Sequence, residues 1–265
     1  MPVISLAQAR SSGATTAALA LARRWPRPVV VVEADPAGGD LAARYGVATS
    51  PGLVDLAAMP GTHPATLHSV AQNLGGVDVV AAPVGAEVVL GALDALGPGA
   101  DWIERTEAGV DVLVDCGRLP LPPTGVPTLL EVAHLPVFLA RPTAPSVVSL
   151  RQRLGSVPES IKRHAVIVLV GDRPYPADEI AATIGLPVLG VLADDPVAAA
   201  ALGSAEPVRM GHSALLRSAE VLAEAMVARC ARENARTLAT VAESSRRWSA
   251  VTPRARFSFS QNGTR

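Results

Sequence analysis

Short apolar runs rich in β-branched residues alternate along this chain with Ala- and Leu-rich segments of helical period. Val3–Ala7, Val29–Ala34, Val77–Pro83, Val110–Cys116, Pro136–Arg141, Ala165–Val170 and Val188–Leu192 read as strands. The run Val29–Ala34 (VVVVEA) shows no polar alternation, as expected of a strand buried on both faces of a parallel sheet. Helical patterns lie between these runs, near Ala14–Arg24, Pro64–Leu74, Val88–Arg105, Val126–Ala133, Ser146–Leu154 and Ala177–Ile184. Alternation at this spacing predicts an α/β fold: a doubly wound, mostly parallel sheet of about seven strands flanked by helices.

A long helix is predicted over Ser213–Arg247, with Leu215, Leu216, Ala219, Leu222 and Met226 along one face. Its second half carries Arg229, Arg232, Arg236, Arg246 and Arg247 and is too polar to be buried. Ser249–Arg265 has no sustained period and is expected to be mobile. The organisation that follows is a domain over residues 1–230 and a basic helical extension and tail over 231–265.

Composition narrows the class. With 49% hydrophobic and 18% charged residues in 265, the chain is not a disordered one. No apolar run reaches the ~18 residues of a membrane-spanning helix, and the first ten residues lack the basic and apolar regions of a secretory signal. Two cysteines, Cys116 and Cys230, cannot build a disulfide framework. The five histidines (63, 68, 134, 164 and 212) show no ligand spacing. A cytoplasmic globular protein is expected. Charge placement adds a second feature: residues 229–265 hold eight arginines against Glu233 and Glu243, whereas residues 1–228 hold 15 basic and 22 acidic groups. An acidic body thus carries a basic tail. Only one of the 23 basic residues, Lys162, is a lysine.

The first strand–helix turn is the usual phosphate cradle of a doubly wound sheet. Here it reads Ala9-Arg10-Ser11-Ser12-Gly13-Ala14-Thr15-Thr16. Its placement and closing Thr-Thr resemble the phosphate loop of the ParA/MinD family, the deviant Walker ATPases, whose pattern is Lys-Gly-Gly-x-Gly-Lys-Thr-Thr. On that pattern Gly13 keeps the last glycine and Thr15 the Mg²⁺-ligand hydroxyl, with Thr16 its neighbour. Ala14 stands at the phosphate-binding lysine, Ala9 at the signature lysine, and Arg10 and Ser11 replace two glycines. Alanine supplies no charge to β- or γ-phosphates, and fewer glycines restrict the approach of backbone to a pyrophosphate. Efficient ATP hydrolysis is not expected.

Other segments extend the resemblance over about residues 1–230. Val29–Asp40 (VVVVEADPAGGD) resembles the family's second strand and switch segment: Asp35 matches a carboxylate that orients water or Mg²⁺, Asp40 matches the switch-one Asp, and Glu33 replaces a usual Asp. Val110–Gly117 (VDVLVDCG) resembles the Walker B strand, with Asp115 on the Mg²⁺ side. In Val188–Ala205 (VLGVLADDPVAAAALGSA), Asp194, Asp195 and Pro196 match the loop near an adenine. The implied nucleotide set is Arg10, Ser11, Ser12, Gly13, Ala14, Thr15, Thr16, Asp194 and Pro196. The implied Mg²⁺ set is Thr15, Asp35 and Asp115. Asp35 and Asp40 would be the catalytic pair in an active enzyme. Carboxylates at strand ends also cap helices and bind water without any catalysis.

Gly38–Leu56 (GGDLAARYGVATSPGLVDL) resembles the CpaE/TadZ branch, which positions pilus and secretion machinery and often has degenerate phosphate loops. The receiver-like domain usual in that branch is not among these 265 residues. The resemblance implies a catalytically impaired positioning or scaffold factor for an envelope machine, dimeric across the loop face, with ATP and Mg²⁺ weakly bound or absent. Two other readings stand beside it: a slow ATP-binding ATPase, and a partition-type protein that binds DNA through its basic tail. The same arginines, with Trp248, Phe257 and Phe259, could instead contact anionic lipid at the inner membrane face, or simply be solvated.

Overall fold

The computed structural model describes residues 1–59, 67–96, 109–119, 126–204 and 213–251. Eight strands form one sheet: β1 (Val3–Gln8), β2 (Val29–Glu33), β3 (Gln72–Leu74), β4 (Val77–Val80), β5 (Asp111–Arg118), β6 (Leu135–Ala140), β7 (Val166–Val170) and β8 (Val188–Leu192). Their order is β3-β4-β2-β5-β1-β6-β7-β8. Every pairing is parallel except β3 with β4. All seven strands expected from the sequence are present. β1 lies at the centre with β5 on one side and β6 on the other. That is the reversal of strand order where an open α/β sheet forms its ligand crevice.

The eighth strand corrects a sequence-based expectation. Pro64–Leu74 reads as helix, but only α4 (Leu67–Val70) is helical among its described residues, and Gln72–Leu74 pairs antiparallel with β4. The reason is the Gly75–Gly76 pair, with φ of 58° and 88°, which is the two-residue loop of a tight hairpin. The expected helix Val88–Arg105 is seen as α5 (Ala86–Leu96), and its remainder lies outside the described residues.

The helical segments follow their residue chemistry. α1 (Ala14–Arg23) is built from Ala and Leu, the best helix formers, and starts from Gly13 in the left-handed region (φ 87°, ψ 42°). Two short helices follow β2: α2 (Leu41–Tyr45) and α3 (Leu53–Ala58). After β5 come α6 (Val126–Glu131), α7 (Ala144–Leu154), α8 (Glu159–Lys162), α9 (Ala177–Ile184) and α10 (Pro196–Leu202). Pro145 in the first turn of α7 and Pro196 at the start of α10 occupy positions whose N–H would have no helical partner. The core lies on both faces of the sheet: Val30, Val31, Val32, Leu113, Val137, Phe138 and Ile167 are buried. Such burial contributes ~1.5–3 kcal/mol per large side chain.

The chain separates into two compact units, Met1–Val227 and Ala228–Arg265. In the first, Leu215, Leu216, Ala219, Leu222 and Met226 of the last helix, α11 (Ala214–Val251), are buried. α11 runs on through Ser249–Val251, which the sequence pattern assigns to an aperiodic tail; residues 252–265 lie outside the described set. No helix among the described residues is long and apolar enough to cross a membrane.

A buried polar knot ties β5 to the end of α1. Asp111, nearly fully buried, accepts from Trp25 Nε1 (2.8 Å) and pairs with Arg27 (2.7 Å). Removing one partner of such a group strands the others. Asp111→Ala is expected to lower unfolding free energy by about 3 kcal/mol, and Asp111→Asn, which retains an acceptor for Trp25, by less. Urea denaturation of both variants checks the order; equal losses would show that the charge, not the acceptor, carries the knot.

Candidate functional site

The loop between β1 and α1 is held from inside. Gln8 ends a mostly apolar strand, and its Oε1 accepts from the backbone N–H of Ser12 and, at 3.4 Å, of Ala14. Backbone amides that converge inside such a loop are the groups that cradle a phosphate. Here a neutral carboxamide of the same chain satisfies two of them. Ser12 and Ala14 are buried, and the Ala14 methyl offers no charge. Gln8 is not among the residues singled out from the sequence; the available signal is an amide side chain at the last strand position, directly before the loop.

The other loop residues divide between two cavities. Ser12, Gly13 and Thr16 line a small cleft of about 70 Å³ with Arg141, Asp194, Asp195 and Ala199. Asp194 receives a two-pronged pair from Arg141 (2.6 and 3.2 Å), which holds its carboxyl below the usual range. That bridge joins the ends of β6 and β8. Asp195 caps α10 by accepting from Ala198 N–H (3.0 Å), and Pro196 opens the helix behind it. The cleft is far smaller than the ~300–1,000 Å³ of typical small-molecule sites. Arg10 and Ser11 face a different cavity, with Arg118 and Arg153.

The carboxylates gather at the ends of β2 and β5. Asp115 is fully buried opposite Glu33 in the sheet register. It accepts from the Thr15 hydroxyl and from Gly117 N–H (3.0 Å), while its Oδ2 is buried without a partner. Burial, with Glu33 and Asp35 nearby, pushes its pKa up to about 7. Thr15 and Asp115, two of the three expected Mg²⁺ ligands, are therefore in contact. Asp35 is half-buried; its Oδ1 accepts from Ala37 N–H (2.8 Å), and burial raises its pKa against the pull of that bond and of Arg118. A Cβ on Gly117 (φ 56°) would overlap the Asp35 carboxylate, so glycine is required there. Among the described residues no three His, Cys, Asp or Glu side chains form a metal-holding group by themselves.

Glu33 and Asp40 are occupied structurally. The buried Glu33 carboxylate accepts from Asp40 N–H (2.9 Å), Leu41 N–H (3.2 Å) and Ala82 N–H (2.9 Å), which staples the segment after β2 to the end of β4. Gly39 lies so close to Glu33 and Ala82 that a Cβ would come within 2.5 Å of each. Asp40 itself is exposed and pairs with Arg44 one turn along α2.

The donor set thus fits only half of a nucleotide–Mg²⁺ complex. Thr15 and the unpartnered Asp115 oxygen suit a divalent cation. The filled cradle, the two alanines and the bridged cleft do not suit a triphosphate nucleotide in this conformation.

Neither a protein-family model nor a curated protein matches the chain. Solved structures match by fold. A ParA family ATPase from Chlorobium tepidum superposes with a TM-score of 0.65 at 20% identity, over 84% of this chain and 97% of that one. The cell division ATPase MinD of Pyrococcus furiosus gives 0.62 at 20% identity, over 85% and 98%. McdA of Cyanothece, solved with ATP, gives 0.61 at 17% identity, over 85% and 96%. The likeness establishes the fold: an eight-stranded, mostly parallel sheet of the ParA/MinD P-loop type.

The shifted Asp115 makes stability depend on pH. Between its ordinary value of 3.8 and about 7, the folded chain keeps a proton that the unfolded chain releases, so stability falls as pH rises through that window. The full effect is on the order of 4 kcal/mol. Asp115→Asn retains the acceptor for Thr15 and Gly117 and is expected to flatten the decline. Urea unfolding from pH 4.5 to pH 8 compares the two; parallel curves would place the titrating group elsewhere.

Proposed function

We propose that this chain, built on the fold of the ParA/MinD ATPases, is a catalytically impaired positioning or scaffold factor for an envelope machine of pilus or secretion type. The observation that carries the reading is the phosphate loop: Gln8 satisfies the amides of Ser12 and Ala14, and alanine stands at both lysine positions. A loop without phosphate charge needs no nucleotide to bridge two copies, so dimerisation across the loop face in the absence of ATP is part of the proposal. The Gly38–Leu56 resemblance to CpaE/TadZ supports the choice of machine. The neighbours by fold include MinD of Aquifex aeolicus, solved in complex with MinC, which supports a role exercised through a partner protein. The basic tail supplies a second contact, to a membrane surface or to DNA.

A second reading, a slow ATPase that holds Mg²⁺ through Thr15, Asp35 and Asp115, is favoured by the buried, unpartnered Asp115 Oδ2 beside Thr15. Structures of McdA with ATP and of MinD from Pyrococcus horikoshii with Mg-ADP lend it support through the shared fold.

Calorimetric titration of ATP·Mg²⁺ and of ADP separates the two. The scaffold reading expects no loop-dependent heat at millimolar nucleotide, and nucleotide-free dimers at micromolar protein in light scattering. The Gln8→Ala, Ala14→Lys double variant is expected to gain roughly tenfold or more in nucleotide affinity. Micromolar ATP binding abolished by Thr15→Val, with turnover abolished by Asp35→Ala, would replace the scaffold reading with the ATPase one.

A further inference from the structure

Beside the loop lies a second cavity of about 430 Å³, which shares no lining residue with the Arg141–Asp194 cleft. Its lining is Ala9, Arg10, Ser11, Arg118, Ser149 and Arg153, brought together from the β1–α1 loop, the end of β5 and α7. The residues that line it include three guanidinium groups, two hydroxyls and no carboxylate.

Two of the three guanidiniums are held in place. Arg118 Nη2 donates to Ser11 Oγ (3.0 Å), and Arg153 Nη1 donates to the Leu119 carbonyl (2.6 Å). Neither bond neutralises charge, because both acceptors are neutral. Asp35 is close enough to be influenced by Arg118 but forms no ion pair with it. Arg10 is exposed and forms no ion pair among the described residues. Three like charges line one hollow, two with their side-chain ordering already settled, and the hollow is about six times the volume of the Arg141–Asp194 cleft. Fixed guanidinium forks match phosphate oxygens with paired hydrogen bonds. Held cations that repel one another are relieved by a multivalent anion.

We infer that this cavity, built from the first residues of the loop together with Arg118, Ser149 and Arg153, is a binding site for a small phosphate-bearing molecule with at least two negative charges, distinct from the amide cradle that Gln8 fills. Its size is within the ~300–1,000 Å³ range of small-molecule sites and exceeds what one inorganic phosphate fills. The inference rests on the fold and on the arginine cluster, and not on whether the loop binds nucleotide.

Inorganic pyrophosphate is the first probe, titrated calorimetrically into the full chain at low and at high salt, with inorganic phosphate and ATP as further arms. Pyrophosphate is expected to bind at least tenfold more tightly than phosphate, with affinity that falls as salt rises. Arg10→Gln and Arg118→Gln are each expected to weaken it about tenfold. Arg151→Gln, on the same helix as Arg153 but outside the lining, should leave it unchanged. The Arg10 side chain is exposed and forms no ion pair among the described residues, so Arg10→Gln is expected to leave the urea midpoint unchanged, which separates a loss of binding from a loss of fold. Arg153→Lys keeps the charge and removes the fork; retention of full affinity would show simple charge attraction and overturn the recognition of phosphate. ATP binding that is lost in Arg10→Gln but kept in Thr15→Val belongs to this cavity. No pyrophosphate binding at millimolar concentration, or equal binding by the arginine variants, would overturn it.

Discussion

The carboxamide of Gln8 is the contact on which the chemistry of this site turns. A strand–helix loop of this kind concentrates N–H groups that need an acceptor, and the usual acceptor is an anion. Here the acceptor is internal and neutral. The loop keeps its curvature without a ligand, and the two alanines then follow from the same logic. A lysine at position 14, inside a buried turn already satisfied by a carboxamide, would be a charge without a partner.

The neighbouring carboxylates divide along similar lines. Glu33 and Asp40 serve the backbone and the surface: one staples the post-β2 segment to β4, the other pairs along α2. Asp115 keeps a different character. Its Oδ2 is buried without a partner, and the carboxyl accepts from the Thr15 hydroxyl, in a fold whose loop amides are satisfied by Gln8. Retaining it is costly at neutral pH, because a carboxyl in this environment holds its proton until about pH 7.

Positive charge gathers beside the loop. Arg10, Arg118 and Arg153 line one cavity, and two of their acceptors, Ser11 Oγ and the Leu119 carbonyl, are neutral. The cleft lined by Ser12, Gly13 and Thr16 is bridged by Arg141 and Asp194. The loop residues therefore divide between an arginine-lined cavity and a cleft bridged by an ion pair.

The strand series, the strand–turn–helix at the loop, and the family-like carboxylates could be read from the chain alone, because buried parallel strands and αβ turns write themselves as local patterns; the central place of β1 could not, because strand order depends on which strands pair. Apolar runs without alternation are needed wherever both faces of a sheet are covered, and that requirement acts residue by residue. The Gly75–Gly76 hairpin was also local, but its helical-looking flank masked it. What the chain order could not disclose is which side chains meet: Gln8 with two amides of its own loop, Arg141 with Asp194, Asp40 with Arg44, and three arginines from separate elements around one cavity. Residues 9–11 of the loop line one cavity and Ser12, Gly13 and Thr16 another, so a motif that reads as one site becomes two. The sequence determined the fold and the loss of the lysines, since both depend on residue type and spacing. Tertiary structure alone decided what replaced the missing phosphate, because that depends on which side chains the sheet brings within hydrogen-bonding distance.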